Sequence, residues 1–454
     1  QRQMCIRDRF WKTKADAESG VNALYFGGVP YLHNTDVGGG WTPKATMWGG
    51  IVSGLYVDKR KDRTFTTASE GCNFNIESFD DIAMKYWHEF YKGISRANFV
   101  IANIPTMTGV LDEATINNYV AQGKFFRAYG YFWLVKEFGG VPYISEPYTS
   151  TEGMYKERLS AEEVYKKIEA DLLDIVNGDA LPNKTFYENG CYVTRAMAQT
   201  LLAQVYLQWA GAPLNGGADY YGKAAQMALK VINDSPHELI HPNGTTDDLN
   251  SAYNVIKTTK ESAEIIYAKE YNYSDYSVGN SYACRSIGTD AFQWGVFHPG
   301  GDVLYNAYLP CDMLLNSYAS NDIRGHEKQF FFKQYTDAEG NTHTLNNAGN
   351  WAWFDENALI SGHDGDYNMP VFRFAEVLLI AAEGLARTNH EDNAVGGAKY
   401  YLNQVRKRAG LADETATGND LIQSILTERL HELPLEFKIW DDIRRTRLYP
   451  EAST

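Results

Sequence analysis

The chain has 454 residues, 44% hydrophobic and 22% charged, which excludes a disordered or fibrous protein and allows a large buried core. A formal charge of −15, from 42 basic against 57 acidic residues, argues against a nucleic-acid backbone or an anionic membrane face as the main partner and fits a neutral ligand or a protein. No stretch approaches the roughly 20 apolar residues of a membrane span, and five scattered cysteines without a CxxC pair exclude a zinc site or a dense disulfide framework, leaving the pairing of one or two bridges open.

Aromatics are the outlier: 31 Tyr, 21 Phe and 10 Trp. So many tyrosine hydroxyls cannot all find partners in a core, and part of this set is expected at a binding surface.

The opening Gln-Arg-Gln-Met-Cys-Ile-Arg-Asp-Arg is polar and basic where a signal peptide carries an apolar run, and Cys5 lacks the small residues that precede a lipidated cysteine. Residues 1–9 read as non-native, and 10–454 as a single domain. Beyond them, helical period dominates two flanks, about 80–236 and 370–447. A helix is predicted from about Ile82 to Ile104, where Pro105 stops it. A second runs from about Asp112 to Phe138 and ends at Gly139-Gly140, a C-cap signal followed by Pro142. Ser160-Ala-Glu-Glu163 makes a capping box opening a third helix to about Val176, and a fourth runs from about Thr194 to Ala210.

Ala203 and Tyr206 stand three apart, as the small and aromatic positions of a tetratricopeptide helix do. After a loop from Gly211 to Ala218, the residues Ala224, Ala228 and Pro236 continue the spacing of the second repeat helix, with an insertion at the turn. Leu378, Ala381, Ala382 and Leu385, then Ala394, Ala398 and Tyr401, fit a second pair without insertion. Small residues at such spacing let paired helices approach closely; the bland alternative is two unrelated helical hairpins. Residues 20–79 and 237–369 differ: Gly, Asn, Asp and aromatics dominate, and only Glu264–Lys269 reads as a short strand. The expected fold class is mainly α, a tetratricopeptide-like helical-pair scaffold with large irregular loop-rich insertions and a few short β-strands, the loops being suited to ligand binding.

Several segments resemble the SusD/RagB family in matching order and spacing. They are Arg127–Ile144 (RAYGYFWLVKEFGGVPYI), Ser160–Pro182, Val193–Gly211 (VTRAMAQTLLAQVYLQWAG), the Asp322-Ile-Arg324 step, Arg373–Arg387, Leu402–Leu411 and Ile425–Arg445 (ILTERLHELPLEFKIWDDIRR). The matches cover most of residues 80–447. The lipoprotein signal and the Pro- and Asn-rich tail of the family are missing from this sequence, so truncation at both ends is expected.

The resemblance implies a non-catalytic glycan-binding protein on the surface of the outer membrane of Bacteroidetes. It implies delivery of an oligosaccharide or polysaccharide to a SusC-like TonB-dependent transporter, with membrane contact only through an N-terminal lipid anchor, and no nucleic-acid partner or cofactor. It also implies ligand residues in the loop before the first long helix and in the irregular middle region. By position these are Asn73, Phe74, Asn75, Tyr273, Tyr276, Tyr282, Arg285 and Trp294. Composition alone adds Trp41, Trp48, Trp351 and Trp353, while Trp87 and Trp133, within apolar helical periods, are assigned to the core.

The conspicuous C-terminal motif is read as structural. Glu428, Arg429, Glu432, Glu436, Trp440, Asp442 and Arg445 recur at about one helical turn and can close the last repeat through charge-assisted bonds, with a break at Pro434. No HExxH occurs, and His363–Asn368 departs from a calcium loop at Met369 and Ala375. No catalytic or metal-binding residue is singled out. The alternatives are binding of peptides or another nutrient by the same scaffold, or a glycoside hydrolase with two carboxylates.

Overall fold

The structure, a computed structural model, describes residues 10–26, 49–57, 81–148, 154–298 and 308–449. The chain divides into two compact units, residues 1–32 with 83–205 and residues 33–82 with 206–454. The fold is mainly α, with three two-stranded antiparallel pairings among the described residues.

The first unit holds α1 (Lys14–Asn22), most of α2 (Asp81–Asn103), α3 (Glu113–Phe138), α4 (Ala161–Asn177) and the start of α5 (Arg195–Ala210). Their ends follow the local chemistry. The Asp112 carboxylate accepts from the Thr115 amide at 2.7 Å, and Gly139 ends α3 at φ +67. Ser160 and Glu163 exchange the two bonds of a capping box at the start of α4. Arg127, on α3, donates two bonds to Asp171 of α4 and a third to Asn98 of α2, so one buried guanidinium ties three helices. Trp87 and Trp133 correct the sequence reading: both are partly exposed rather than core, with Arg158 and Lys136 covering their ring faces. Their helical period is apolar, but the positions lie at the edge of the buried stripe, where a cation can snorkel across the ring.

In the second unit α6 (Gly217–Asp234), α7 (Ala252–Thr258), α8 (Glu356–Ser361), α9 (Phe374–Ala386), α10 (Ala398–Arg408), α11 (Gly418–Glu432) and α12 (Ile439–Thr446) follow. Every residue of α9 is buried, because α6, α10 and α11 pack around it. Gly384 permits the closest of these approaches. A Cβ there would lie 2.5 Å from the Tyr221 carbonyl oxygen and 2.8 Å from Ala225 Cβ on α6. The tetratricopeptide spacing thus reports real helix–helix contacts in this part of the chain.

The zone read as loops carries more strand than expected. β1 (Tyr56–Val57) pairs with β3 (Leu309–Pro310), β2 (Ile265–Lys269) with β6 (Met369–Arg373), and β4 (Phe331–Thr336) with β5 (Thr342–Asn350). β5, Thr-His-Thr-Leu-Asn-Asn-Ala-Gly-Asn, has weak strand propensity and is held by its cross-strand partners instead.

The C-terminal motif forms two buried ion-pair clusters. Glu432 of α11 sits among three guanidiniums, with Arg408 at 2.5 Å, Arg373 at 3.1 Å and Arg324 at 3.2 Å. Arg373 and Arg408 also hold Glu264, at 2.7 and 2.5 Å, and Arg324 reaches Glu428 at 2.6 Å. In the second cluster Arg445 grips Glu383 of α9 with two bonds of 2.7 and 2.5 Å, while Arg429 and Arg445 share Asp442. The break at Pro434 falls between α11 and α12, as the sequence predicts.

Candidate functional site

Asn73, Phe74, Asn75, Trp41 and Trp48 lie outside the described residues. Trp351 is partly buried, and the five residues expected from the middle region fall in 271–298 and divide in two. Tyr282 and Arg285 are wholly buried, which corrects their assignment to a ligand surface. Tyr282 packs against Trp353 and Phe437, and Arg285 spends its guanidinium on the carbonyl and hydroxyl of Ser281. Trp353 is likewise interior.

Tyr273 and Tyr276 face outward from a one-turn helix, Tyr273–Tyr276, which Asn272 caps by accepting from the Asp275 amide at 3.0 Å. The turn is anchored from below by Asp366, whose carboxylate accepts from the Tyr273 amide at 2.5 Å and the Ser274 hydroxyl at 2.6 Å. Burial works to raise the Asp366 carboxyl, but these bonds prevail and hold it below the usual range. The residues that resembled a calcium loop therefore serve as a brace for this turn. The Tyr273 ring lies flat on His363, centroids 4.3 Å apart and planes 18° from parallel, and Tyr276 is 76% exposed.

Trp294 ends a short 3-10 segment, Thr289–Trp294, released by Gly295 at φ +72. Its partly buried ring stacks on His343 at 4.7 Å and 16°, is parallel to Tyr335 at 6.0 Å, and meets Phe297 at 6.0 Å and 52°. The β4–β5 register sets Tyr335 opposite His343, with centroids 6.4 Å apart. Two face contacts on opposite sides of the indole would hold those rings about 7 Å apart or more. His343 and Tyr335 therefore back one face of Trp294 and leave the other clear of them. His343 is itself fixed, donating from Nε2 to Asp337 at 2.8 Å. That bond, helped by Asn341, pulls the Asp337 carboxyl down to about 2.

A chain of contacts joins the two stacks: Tyr273 lies on His363, and the neighbouring Gly362 abuts the His298 ring, four residues beyond Trp294. The His298 amide also bonds the Leu359 carbonyl of α8 at 2.9 Å. The supporting residues His343, His363 and Asp337 were absent from the sequence-based set. The only signal for them was a histidine in each of two aromatic-rich loops, and their partners depend on hairpin register and tertiary packing. A cavity lined by Tyr253, Lys257 and Trp353 has about 50 Å³, room for a few waters and not for a sugar ring. Ring stacking on the surface is what this region offers an extended ligand.

Comparison with known proteins gives a consistent picture. Residues 333–453 match the model of the SusD family, and residues 55–207 match a family described as starch-binding and associating with the outer membrane. SusD-like protein P2 of Formosa agariphila is 27% identical, over 98% of this chain and 86% of the relative. A SusD superfamily protein from Parabacteroides distasonis superposes with a TM-score of 0.82 at 25% identity, covering 97% of this chain and 90% of the other. Surface glycan-binding protein A from Bacteroides thetaiotaomicron, in complex with laminarihexaose, has the same fold with a TM-score of 0.71 at 22% identity, covering 95% and 90%. Family models at both ends, relatives along nearly the whole length and a shared fold lead to one statement: the chain belongs to the SusD/RagB family.

Proposed function

We propose that this protein binds an extended neutral glycan at the outer face of the outer membrane, without cleaving it, and passes it to a TonB-dependent transporter. The observation that carries the reading is the partly exposed Trp294, backed on one face by His343 and Tyr335, beside the Tyr273–His363 stack and the exposed Tyr276. A pyranose presents a flat C–H face, and an aromatic ring fixed from behind meets it without losing side-chain entropy on binding. Family membership supports delivery to the transporter, and the relative seen with laminarihexaose supports the ligand class.

A glycan array followed by calorimetry tests it. Trp294→Ala is expected to weaken the best ligand about tenfold or more, with no new reducing ends on prolonged incubation. Binding of a peptide but of no glycan would overturn the ligand class, and sustained release of reducing ends would overturn the non-catalytic reading.

A further inference from the structure

The dipeptide Asn-Gly occurs four times in the chain, beginning at Asn177, Asn189, Asn215 and Asn243. In this pairing a side-chain amide is most open to attack by the next backbone nitrogen. Glycine has no Cβ to shield that nitrogen or to restrict the turn that the attack needs. The dipeptide alone makes the four sites equal, and the fold does not.

Asn189 is held at both reacting ends. Its Nδ2 donates to the Tyr192 and Val193 carbonyls at 3.1 Å each, and the Gly190 N–H donates to the Tyr187 carbonyl at 3.0 Å. Asn215 is held likewise: Nδ2 donates to the Pro213 carbonyl at 3.0 Å, and the Gly216 N–H to the Trp209 carbonyl at 3.0 Å. Asn243 makes no side-chain hydrogen bond among the described residues, but the Gly244 N–H closes a turn onto the His241 carbonyl at 3.2 Å. Asn177 has neither restraint. It is the last residue of α4, and Asn177, Gly178 and Asp179 are all exposed. Its side chain makes no hydrogen bond among the described residues. Nor does a bond from the Gly178 N–H close the helix, where Gly139 after α3 donates to Val135.

We propose that Asn177 is a site of spontaneous, backbone-assisted deamidation, which converts the end of α4 to aspartate or isoaspartate as the protein ages. The Gly178 nitrogen gives its proton to solvent and bonds to Asn177 Cγ. The Cγ–Nδ2 bond breaks, and Nδ2 takes up a proton and leaves as ammonia. A water molecule then opens the cyclic imide at either carbonyl. One amide and one water give one acid and one ammonia, with no change of oxidation state and no co-reactant beyond solvent. The new carboxylate stands at the negative end of the α4 dipole, near Asp174 and Asp179 in the chain, so the modification loosens that helix end. The isoaspartate form also lengthens the main chain just before Ala180, whose carbonyl accepts from Asn118 of α3 at 2.9 Å.

Peptide mapping of the intact protein, held warm at mildly alkaline pH and sampled over time, tests this without any knowledge of the glycan. Isoaspartate should appear at Asn177 about tenfold or more faster than at Asn189 or Asn215, whose bonds must open before the nitrogen can attack, with Asn243 in between. In concentrated urea the four sites should react within a few-fold of one another, because only the dipeptide is then left to set the rate. Asn177→Gln should remove the fast site without raising the others. Any of the other three ahead of Asn177 in the folded protein, four equal rates there, or the same spread in urea would overturn the proposal.

Discussion

Replacing Glu383 by Gln removes one charge from the interior and leaves the shape. Glu383, fully buried on α9, receives two bonds from Arg445 at 2.7 and 2.5 Å and a longer one from Arg387 at 3.3 Å. Burial alone would raise its carboxyl; the guanidiniums of Arg445, Arg387 and Arg429 overrule that and bring it from 4.5 to about 2. That shift corresponds to about 3 kcal/mol of stability, which agrees with the roughly 3–5 kcal/mol lost when one partner of a buried pair is removed. Because the folded value lies below the unfolded one, the contribution is complete above pH 4.5 and fades as the pH falls toward 2. Urea unfolding of wild type and Glu383→Gln, followed by tryptophan fluorescence, should show a gap of about 3 kcal/mol at pH 7 and about half of it at pH 3. A gap below about 1 kcal/mol at pH 7, or one that does not shrink on acidification, refutes the reasoning.

Gly384→Ala should destabilise by about 1–2 kcal/mol in the same assay, since the added methyl meets a fixed carbonyl oxygen 2.5 Å away and this outweighs its gain in helix propensity. Combining it with Ala225→Gly should recover part of the loss, because Ala225 Cβ is the second atom in the way. His343→Ala should weaken glycan binding by several-fold, whereas His343→Phe, which keeps a flat ring behind Trp294, should retain most of it. Equal affinities of those two variants in calorimetry would show that Trp294 needs no backing.

The parts of this protein that were legible in its sequence are those governed by near neighbours along the chain. Ser160 with Glu163, Asp112 with Thr115, and Gly139 after α3 act within one helical turn, so their residue types suffice to place three helix ends. The C-terminal carboxylates and arginines were legible for a different reason. Charged residues recurring at one turn on an otherwise apolar helix must find partners if that helix is buried.

Contacts made at a distance were not legible. Position in the family puts Tyr282 and Arg285 at the ligand surface, and nothing in Ser-Tyr-Ala-Cys-Arg-Ser, which has no apolar period, shows that both are buried, Tyr282 against Trp353 and Phe437 far along the chain. His343 gains its role only once β4 and β5 pair in one register, which places it against Tyr335 and Trp294. The weak strand propensity of β5 hides that register. Tyr276 is exposed and Tyr273 and Trp294 are partly exposed, in an irregular, aromatic-rich stretch whose sequence does not say which ring has a backing.

Glu264 and Arg408 are 144 positions apart, yet each is the other's neighbour at 2.5 Å with no access to water. A ribosome making this chain delivers the acid long before the base. Until the later arginines arrive, that carboxylate keeps its hydration shell, and the segment around β2 has no reason to close over it. A chain cut short before Arg408 would have to bury a bare charge or stay open to proteases. The interior salt bridges thus tie closure of this core to the presence of both partners, Glu264 early in the unit and Arg408 late in it.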